Sequence, residues 1–451
     1  MKRQAKPLPP QPLATFEGGD SGRSSPARAH PRHLRWNFTW AALSGALFQF
    51  GSAFADTGTV VAAFVTRLTL SALAVGAAES LARYGWLLPQ LFAANYAQGL
   101  RYRKPMYLVG GWGRAIFLAL LAGALLIVPG ASGEGLDRDV ALPLLVIFFV
   151  LWTLFSFISG LAGVPYNDIV GRAIPSDRRS RLLAVRFFVG GALAVGAGFS
   201  IRSLLQENGS LKPYGIIFGA GAAVLALSTV CFALVREPPA PLERDRPAFR
   251  VFLREGWRVL QGDARFRLFL YVQLLAGLTT MTFPFYIVQA RRVSGLAEAE
   301  VGTLIAAQAL GGLALHPLWG WWGDRRGKLS LLKALTAISA ISPVLAIGLA
   351  WPAALPPVVT ISGYGATFFF LGATLSGGII ADLGYLMEIS PDDRRPEYSG
   401  YMNALVAPSR LLPLVAGALV DAVSFRFVFG LAAVAVLVRL AVLARLGRAP
   451  P

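Results

Sequence analysis

The chain has 451 residues, of which 55% are hydrophobic and only 15% are charged, whereas a soluble domain carries about 25% charged residues. This composition excludes a water-soluble enzyme and an intrinsically disordered protein, because neither class has so little charge on its surface. The formal net charge of +18 would suit nucleic acid if the basic residues formed one surface. They are instead divided among short polar segments between apolar runs, so we expect a lipid bilayer and no nucleic acid as partner.

The first segment, residues 1–36, is polar and rich in Pro, Ser, Gly and Arg. It lacks the apolar core of a cleavable secretion signal. We therefore predict a disordered, basic cytoplasmic tail. Cys231 is the single cysteine of the chain, which excludes an internal disulfide.

Twelve apolar runs follow, most of them near the roughly 20 residues that a membrane-spanning helix needs. None shows the alternating polarity of a spanning β-strand. The sequence therefore predicts an all-α membrane protein with twelve transmembrane helices. In chain order, the runs are Asn37–Thr66, Ser71–Gln98, Pro105–Val128, Val140–Val164, Leu182–Ile201, Tyr214–Val235, Leu268–Gln289, Glu300–Gly323, Ala334–Trp351, Pro357–Leu386, Tyr398–Val420 and Phe427–Ala444.

The Lys and Arg residues predict the orientation of these helices. Most of them lie in the two tails and in the connections that follow the even-numbered runs. Because cytoplasmic loops carry the excess of Lys and Arg, both termini are expected in the cytoplasm of a protein of the cell membrane. The predicted units are the tail 1–36, a six-helix bundle 37–236, a cytoplasmic linker 237–267, a second six-helix bundle 268–447 and a tail 448–451.

The linker contains a candidate amphipathic helix. Its apolar residues alternate with arginines at helical spacing, as expected of a helix on the inner leaflet. A solvated linker is an equally good interpretation of the same pattern. The apolar positions are Phe249, Val251, Phe252, Trp257 and Leu260.

The two halves also repeat a short sequence. Pro-Ser-Asp-Arg-Arg occupies 175–179 after the fourth run, and Pro-Asp-Asp-Arg-Arg occupies 391–395 after the tenth. Each follows an aspartate near a helix end, Asp168 or Asp382. The same element at the same topological position predicts two parallel repeats, related by an axis along the membrane normal.

The loop between the eighth and ninth runs reads Gly320-Trp321-Trp322-Gly323-Asp324-Arg325-Arg326-Gly327-Lys328. It resembles the signature G-x-x-x-D-R-x-G-[RK] of the major facilitator superfamily at the equivalent loop. The resemblance implies two pseudo-symmetric six-helix bundles that alternate between two states. It also implies that Gly320, Asp324, Arg325, Gly327 and Lys328 form a conformational latch on the cytoplasmic side. Gly327 would permit a tight turn, and Asp324 would accept N–H groups at a helix N-terminus.

The corresponding loop of the first half departs from this pattern. It keeps its basic end, Arg101 to Lys104, but has Gly99 where the signature has aspartate. This departure favours an alternative from another class, a membrane receptor or scaffold that has the fold but does not transport.

A charged residue inside an apolar run needs a partner or a function, and four of those in the runs are candidate site residues. Glu79 and Arg83 are four residues apart on one helical face, Asp56 lies in the first run and Arg410 in the eleventh. The resemblance implies that the second and eleventh helices pack together, which would bring Arg83 and Arg410 to the seam between the halves. We interpret these residues as a proton-coupling or anion-binding site; a salt-bridge cluster that only fixes packing is the alternative.

Polar residues on other helices are candidates to line a substrate cavity. The first, seventh and tenth helices line the cavity of the family, which selects Gln49, Gln273 and Tyr364. The sequence shows no phosphate loop, metal-ligand spacing or nucleophile motif, so no cofactor and no enzymatic activity are expected. The predicted function is gradient-driven secondary transport of a small solute by a monomer, with protons as coupling ion. The two central arginines hint at an anionic substrate, and an uncoupled uniporter or a carrier of lipid-like substrates is the alternative within this class.

Overall fold

The computed structural model describes residues 33–127, 138–206, 210–239, 249–350, 355–391 and 395–448. Every regular element within these ranges is helical. The predicted tail up to residue 32, the linker segment 240–248 and residues 392–394 of the second repeat lie outside the described residues. The described residues cover most of the predicted membrane region.

The first half contains seven helices, because the first predicted span is divided in two. They are α1 (Leu34–Ala53), α2 (Val60–Leu68), α3 (Ala72–Gln98), α4 (Lys104–Ile127), α5 (Arg138–Ala173), α6 (Ser176–Leu204) and α7 (Lys212–Ala233).

The linker helix and the second half follow, with three of the predicted spans divided. The elements are α8 (Phe249–Gly262), α9 (Ala264–Thr280), α10 (Phe285–Arg292), α11 (Glu300–Arg325), α12 (Lys328–Ser339), α13 (Ile341–Leu349), α14 (Pro357–Ile389), α15 (Arg395–Val406), a 3-10 turn (Ala407–Leu411), α16 (Leu412–Ala422) and α17 (Phe425–Leu446).

Within the described residues, ten helical segments are long and apolar enough to cross a membrane. The other two predicted spans correspond to α1 with α2, and to α3. The first of these is interrupted after 20 residues, and the second is a 27-residue helix that carries Glu79 and Arg83. The twelve predicted spans are therefore all helical, and the all-α membrane fold is confirmed.

Several helices extend beyond their apolar runs. The fourth run ends at Val164, but α5 continues to Ala173. Its added turns hold Asp168 and Arg172, which form an ion pair four residues apart. Charged residues thus continue the helix where hydropathy alone ends it, since an i, i+4 pair supports helix at a polar end.

The helices assemble into two bundles that meet along a seam. In the first bundle α4 packs on α5 and α7, and α1 packs on α6 and α7; in the second, α14 packs on α11, α12 and α13, and α17 packs on α9. At the seam α3 packs on α16 and α6 packs on α11. The predicted pairing of the second and eleventh spans is confirmed.

The first span of each bundle is broken at a corresponding place. Residues 54–59 separate α1 from α2, and residues 281–284 separate α9 from α10. The two breaks touch across the seam, because a Cβ atom on Gly58 would overlap the ring of Phe283. This close approach needs glycine, and it fixes the two interruptions against each other.

The predicted amphipathic helix of the linker is present as α8. Gly256 lies against the ring of Tyr401, whereas the neighbouring Trp257 is exposed. The Asp263 carboxylate accepts a hydrogen bond from the backbone N–H of Phe266 (2.9 Å) and caps α9, as expected at a helix N-terminus. Contact with the inner leaflet remains a prediction.

Candidate functional site

Glu79 and Arg83 form an ion pair on the seam face of α3. The Arg83 Nε donates to Glu79 Oε1, and the Glu79 side chain is fully buried. The second oxygen of Glu79, Oε2, has no hydrogen-bond partner among the described residues. The Arg83 guanidinium carbon also lies 5.9 Å from the centre of the Phe283 ring, so this pair sits beside the break in the seventh span.

Asp56 lies in the break of the first span. Its Oδ1 accepts a hydrogen bond from the Thr59 hydroxyl (2.7 Å). Glu79 and Arg83 are the charged residues that interact with it electrostatically. The interruption of the helix therefore places a carboxylate of the first span next to the ion pair of α3.

The second half contributes charges from three helical elements. Arg410, on the 3-10 turn, interacts electrostatically with Arg83, Asp382 and Glu79. Asp382 of α14 lies 3.8 Å from Arg439 of α17, measured between Oδ1 and Nη2. We call these residues the central charge cluster: Asp56, Glu79, Arg83, Asp382, Arg410 and Arg439.

Gln273 of α9 also lies beside Asp382. The cluster thus includes residues that were not selected from the sequence as site candidates, Asp382 and Arg439. Their only sequence signal is a charge within or near an apolar run, and their partnership depends on how α14 and α17 pack.

The other two cavity candidates lie in different surroundings. Gln49 of α1 packs against Gly190, where a Cβ would come within 2.7 Å of the Gln49 Cβ. The Tyr364 side chain is fully buried, and its hydroxyl is hydrogen-bonded to Gln289 (3.1 Å) and Ser294 (2.9 Å). The structure therefore does not bring either residue into the central charge cluster.

The loop that carries the family signature is compact and exposed. Gly327 has φ of +83°, which suits a tight turn before α12. Asp324 pairs with Lys328, with 3.0 Å between Oδ1 and Nζ, and Arg325 is exposed. A Cβ on Gly320 would meet no atom within 4 Å. Among the described contacts, the Asp324 carboxylate accepts no helix N–H and the loop makes no bond to the first half.

The first-half loop obtains a carboxylate from elsewhere in the chain. Glu237, at the start of the linker, accepts hydrogen bonds from the backbone N–H groups of Arg103 (2.7 Å) and Lys104 (2.9 Å). It also accepts one from Arg172 Nη2 (2.9 Å). An acid near the N-terminus of α4 is stabilised by the helix dipole, so Glu237 supplies the negative charge that Gly99 lacks.

We call the end of the molecule opposite both chain termini the distal end, and the other the terminal end. At the distal end Glu298, which follows α10, accepts a hydrogen bond from the Tyr214 hydroxyl (2.5 Å). The same carboxylate lies 3.4 Å from Arg291 Nη2 and 3.8 Å from Arg67 Nε. Tyr214 and Arg67 belong to the first half, so Glu298 joins the two bundles.

Asp421, at the end of α16, makes a second distal connection. Its carboxylate accepts hydrogen bonds from the Ala72 N–H (2.8 Å), the Leu73 N–H (2.9 Å) and the Ser71 hydroxyl (3.0 Å). A side chain of the second half thus caps a helix of the first half. At the terminal end, the described residues show no hydrogen bond or ion pair between the bundles.

A cavity of about 250 Å³ lies inside the first bundle. Asp56 lines it together with residues of α1, α3, α4, α5 and α7, among them Phe48, Trp86, Arg114, Trp152 and Phe155. It is lined by both charged and aromatic side chains. Such a mixture is typical of sites for small organic molecules.

Comparison with known proteins gives the family. Residues 39–409 and 293–451 match the sequence model described as Major Facilitator Superfamily. Among curated proteins, the chain is 22% identical over 242 residues to the uncharacterized protein Rv2209 of Mycobacterium tuberculosis. It is equally similar to the uncharacterized protein Mb2232 of Mycobacterium bovis. The match covers 53% of this chain and 46% of each relative, so the chain spans about half their length.

Solved structures share the fold at low sequence identity. A variant of the nucleoside transporter NupG superposes with a TM-score of 0.68 at 13% identity, covering 91% of this chain and 99% of that one. A POT family transporter in complex with 5-aminolevulinic acid gives 0.67 at 12% identity, with coverage of 93% and 98%. A bacterial homologue of the iron transporter ferroportin, in an inward-facing state, gives 0.64 at 15% identity, with coverage of 92% and 100%. With its helical spans and its signature loop, the chain belongs to the major facilitator superfamily and is a multi-pass membrane protein.

Proposed function

We propose that this protein is a secondary active transporter that moves a small solute by alternating access and couples the movement to protons. The observation that carries the proposal is the central charge cluster. Arg410 of the second bundle interacts across the seam with Glu79 and Arg83 of the first, and Asp56 and Arg83 lie at the breaks in the first span of each half. Charges buried at a moving seam change partners when the bundles rock, which is what coupling requires.

The polar contacts between the bundles support one conformational state of the proposed transport cycle. The distal end is joined by Glu298 and Asp421, whereas the described residues of the terminal end make no polar contact across the seam. The Lys and Arg distribution assigns the terminal end to the cytoplasm of a cell-membrane protein. The described conformation is then the inward-facing one, with both termini cytoplasmic.

Glu79 is the proposed proton-accepting group, with Asp56 as its neighbour. The Glu79 carboxylate is fully buried and pairs with Arg83, and its Oε2 has no hydrogen-bond partner among the described residues. Arg410 interacts with the same carboxylate from the other bundle. When the bundles rock, Arg410 moves relative to Glu79, so the affinity of the carboxylate for a proton changes between the two states.

The scaffold alternative depends on the absence of an aspartate at Gly99. Glu237 takes up the N–H groups at the start of α4 and the Arg172 guanidinium, so the loop has a carboxylate after all. This observation favours transport. An uncoupled uniporter would differ from the proposed transporter only in the role of the buried charges. The following experiment distinguishes the two.

The test uses reconstituted liposomes that enclose a pH-sensitive dye, a panel of small solutes and a Glu79→Gln variant. We expect a solute-dependent pH change with the wild-type protein and its loss in the variant. Asp139→Asn is the control, because Asp139 is an exposed acid on α5, away from the seam. Solute uptake that is independent of the pH gradient would instead show a uniporter.

A second measurement needs no solute. Spin labels in a Cys231→Ser background would report the distal end at Leu70 and Val358, and the terminal end at Tyr102 and Met387, all of which are exposed. We expect the distance distributions to change between alkaline and acidic buffer in the wild-type protein and not in Glu79→Gln. Identical distributions at every pH would contradict proton coupling.

A further inference from the structure

Two arginines outside the central charge cluster face each other inside the first bundle. Arg114 of α4 has its guanidinium carbon 4.6 Å from the centre of the Phe48 ring, and Arg186 of α6 has its own 5.6 Å from the same centre. Arg114 also interacts electrostatically with Arg186. Two positive side chains thus share one aromatic ring.

These arginines lack a counter-ion in the part of the chain that the structure describes. Arg114 is 5% exposed, and neither its Nε nor its Nη2 has a hydrogen-bond partner. The Nε of Arg186 is also buried and unpartnered. No ion pair of the described residues includes either of them. A ring face attracts a cation but does not neutralise it, so the pair is electrostatically incomplete.

The surroundings provide further hydrogen-bond donors. Arg186 Nη1 lies 3.0 Å from the Tyr166 hydroxyl, and the Tyr107 hydroxyl lies close to Arg114. Gly45 of α1 makes room for Arg186, since a Cβ at this position would come within 2.5 Å of the Arg186 Cδ. Guanidinium and phenol groups are the donors that bind carboxylate and phosphate oxygens.

The 250 Å³ cavity connects Arg114 to an apolar surface, and Arg186 lies behind it on the shared Phe48 ring. Arg114 and Phe48 line the cavity, and the indoles Trp86 and Trp152 and the ring of Phe155 line it as well. Asp56 is the one acid among the lining residues, and its carboxylate is hydrogen-bonded to Thr59. The cavity therefore offers buried positive charge together with flat apolar walls.

We propose that Arg114 and Arg186 bind the oxyanion end, carboxylate or phosphate, of the transported substrate, and that this substrate is an organic anion with an apolar or aromatic body. The apolar body lies against Trp86, Trp152 and Phe155. The proposal rests on the proposed function, because it assumes that the cavity holds the transported solute. It assigns substrate recognition to α4 and α6, separately from the coupling charges of α3.

The test measures equilibrium binding to the purified full-length protein, so it does not depend on transport. The probes are phenyl phosphate and phenylacetate, with the neutral phenylacetamide and inorganic phosphate for comparison; tryptophan fluorescence and thermal stability are the readouts. We expect both aromatic anions to bind, and the neutral amide and inorganic phosphate to bind at least about ten-fold more weakly.

Substitutions test whether Arg114 and Arg186 bind the anion. Arg114→Met and Arg186→Met should each weaken binding of the aromatic anions about ten-fold or more. Without a probe, Arg114→Met should unfold at the same temperature as wild type or higher, because it removes an uncompensated buried charge. Gly45→Ala is a second variant that keeps both arginines and displaces Arg186. Arg178→Met, at an exposed position of α6, is the matched control and should bind like wild type.

Any of three results would overturn the proposed anion subsite. Wild-type protein that binds none of the aromatic anions would remove the subsite, while proton-linked rocking would still be tested by the spin labels. Equal binding by Arg114→Met and wild type would place the anion elsewhere. Marked destabilisation of Arg114→Met without a probe, together with unchanged binding, would show a packing role. The Glu79→Gln variant should keep anion binding although it loses coupling, which distinguishes failure of the subsite from failure of the proposed function.

Discussion

At the scale of single residues, the sequence identifies the charged side chains but not all their partners. A charge in an apolar run is conspicuous, and Asp56, Glu79, Arg83 and Arg410 are found this way. The i, i+4 spacing predicts the Glu79–Arg83 pair because both residues lie on one helix. Arg439 is equally visible in its run, but its partner Asp382 lies 57 positions earlier on another helix, and no local rule connects two such positions.

The pair Asp382 and Arg439 gives the first residue-scale prediction. Arg439→Met leaves the Asp382 carboxylate without one of its cations, so the free energy of unfolding should fall by about 1–3 kcal/mol. Asp382→Asn should also destabilise the protein, because it leaves the Arg439 guanidinium without its acid. The double variant should be less destabilised than the sum of the two, because removing both charges leaves neither unpaired.

The measurement is thermal unfolding of the four proteins in the same detergent, analysed as a double-mutant cycle. Arg178→Met is again the control, since its surface ion pair with Asp177 is long and exposed. Strict additivity of the two single effects would show that Asp382 and Arg439 do not interact in the folded protein.

Glu298 gives a second prediction at this scale. Glu298→Gln removes the charge that faces Arg67, Arg291 and the Tyr214 hydroxyl. Two arginines are then left near each other without their acid, which should weaken closure of the distal end. We expect a cysteine at position 66, introduced for Thr66 in the Cys231→Ser background, to react faster with a membrane-impermeant thiol reagent in the variant.

The control for that labelling is Glu388→Gln, because Glu388 lies near the terminal-end limit of α14. It should leave the reaction at position 66 unchanged. An unchanged labelling rate in Glu298→Gln would mean that the Glu298 contacts do not hold the distal end closed.

At the scale of helices, hydropathy predicts where the spans lie and misses how they are broken. The third and tenth runs begin and end within a few residues of α4 and α14, because apolar length is what a spanning helix requires. The breaks at 54–59 and 281–284 are not visible in the hydropathy and depend on particular residues. Asp56-Thr57-Gly58-Thr59 is typical of an interruption, and in Met281-Thr282-Phe283-Pro284 the proline, which precedes α10, has no N–H to continue the helix.

The contact between the two breaks gives a prediction at the scale of helices. Gly58→Ala places a methyl group where the Phe283 ring lies, so one of the two breaks must move. We expect the distal spin-label pair, Leu70 and Val358, to separate further in the variant than in wild type. A Phe283→Ala second substitution should restore the wild-type distance because it removes the obstructing ring.

Gly196→Ala is the matched control, since a Cβ at Gly196 of α6 meets no atom within 4 Å. Its label distances should equal those of wild type. If Gly58→Ala also left the distances unchanged, the contact between Gly58 and Phe283 would not determine distal closure.

At the scale of the whole molecule, the proposed rocking about the seam requires the two ends to move in opposite directions. The bundles pack through α3 with α16 and α6 with α11, and the Ser80 hydroxyl accepts a hydrogen bond from the Leu414 N–H (3.0 Å) at this interface. Rigid bundles that pivot about a central contact open one end as they close the other. The sequence predicts the two repeats, but it could not predict which end carries polar contacts between the bundles, because these are long-range pairs such as Asp421 with the N-terminus of α3.

Asp421→Asn tests this rocking directly. The carboxylate accepts three hydrogen bonds across the seam, and charge-assisted bonds of this kind contribute about 1.5–3 kcal/mol. Losing the charge should therefore raise the population with an open distal end by about ten-fold or more. The Leu70–Val358 distance should lengthen while the Tyr102–Met387 distance shortens, whereas Asp139→Asn should change neither. If the distal pair lengthened and the terminal pair stayed fixed, Asp421 would only anchor a local helix end, and the bundles would not be moving as rigid bodies about the seam.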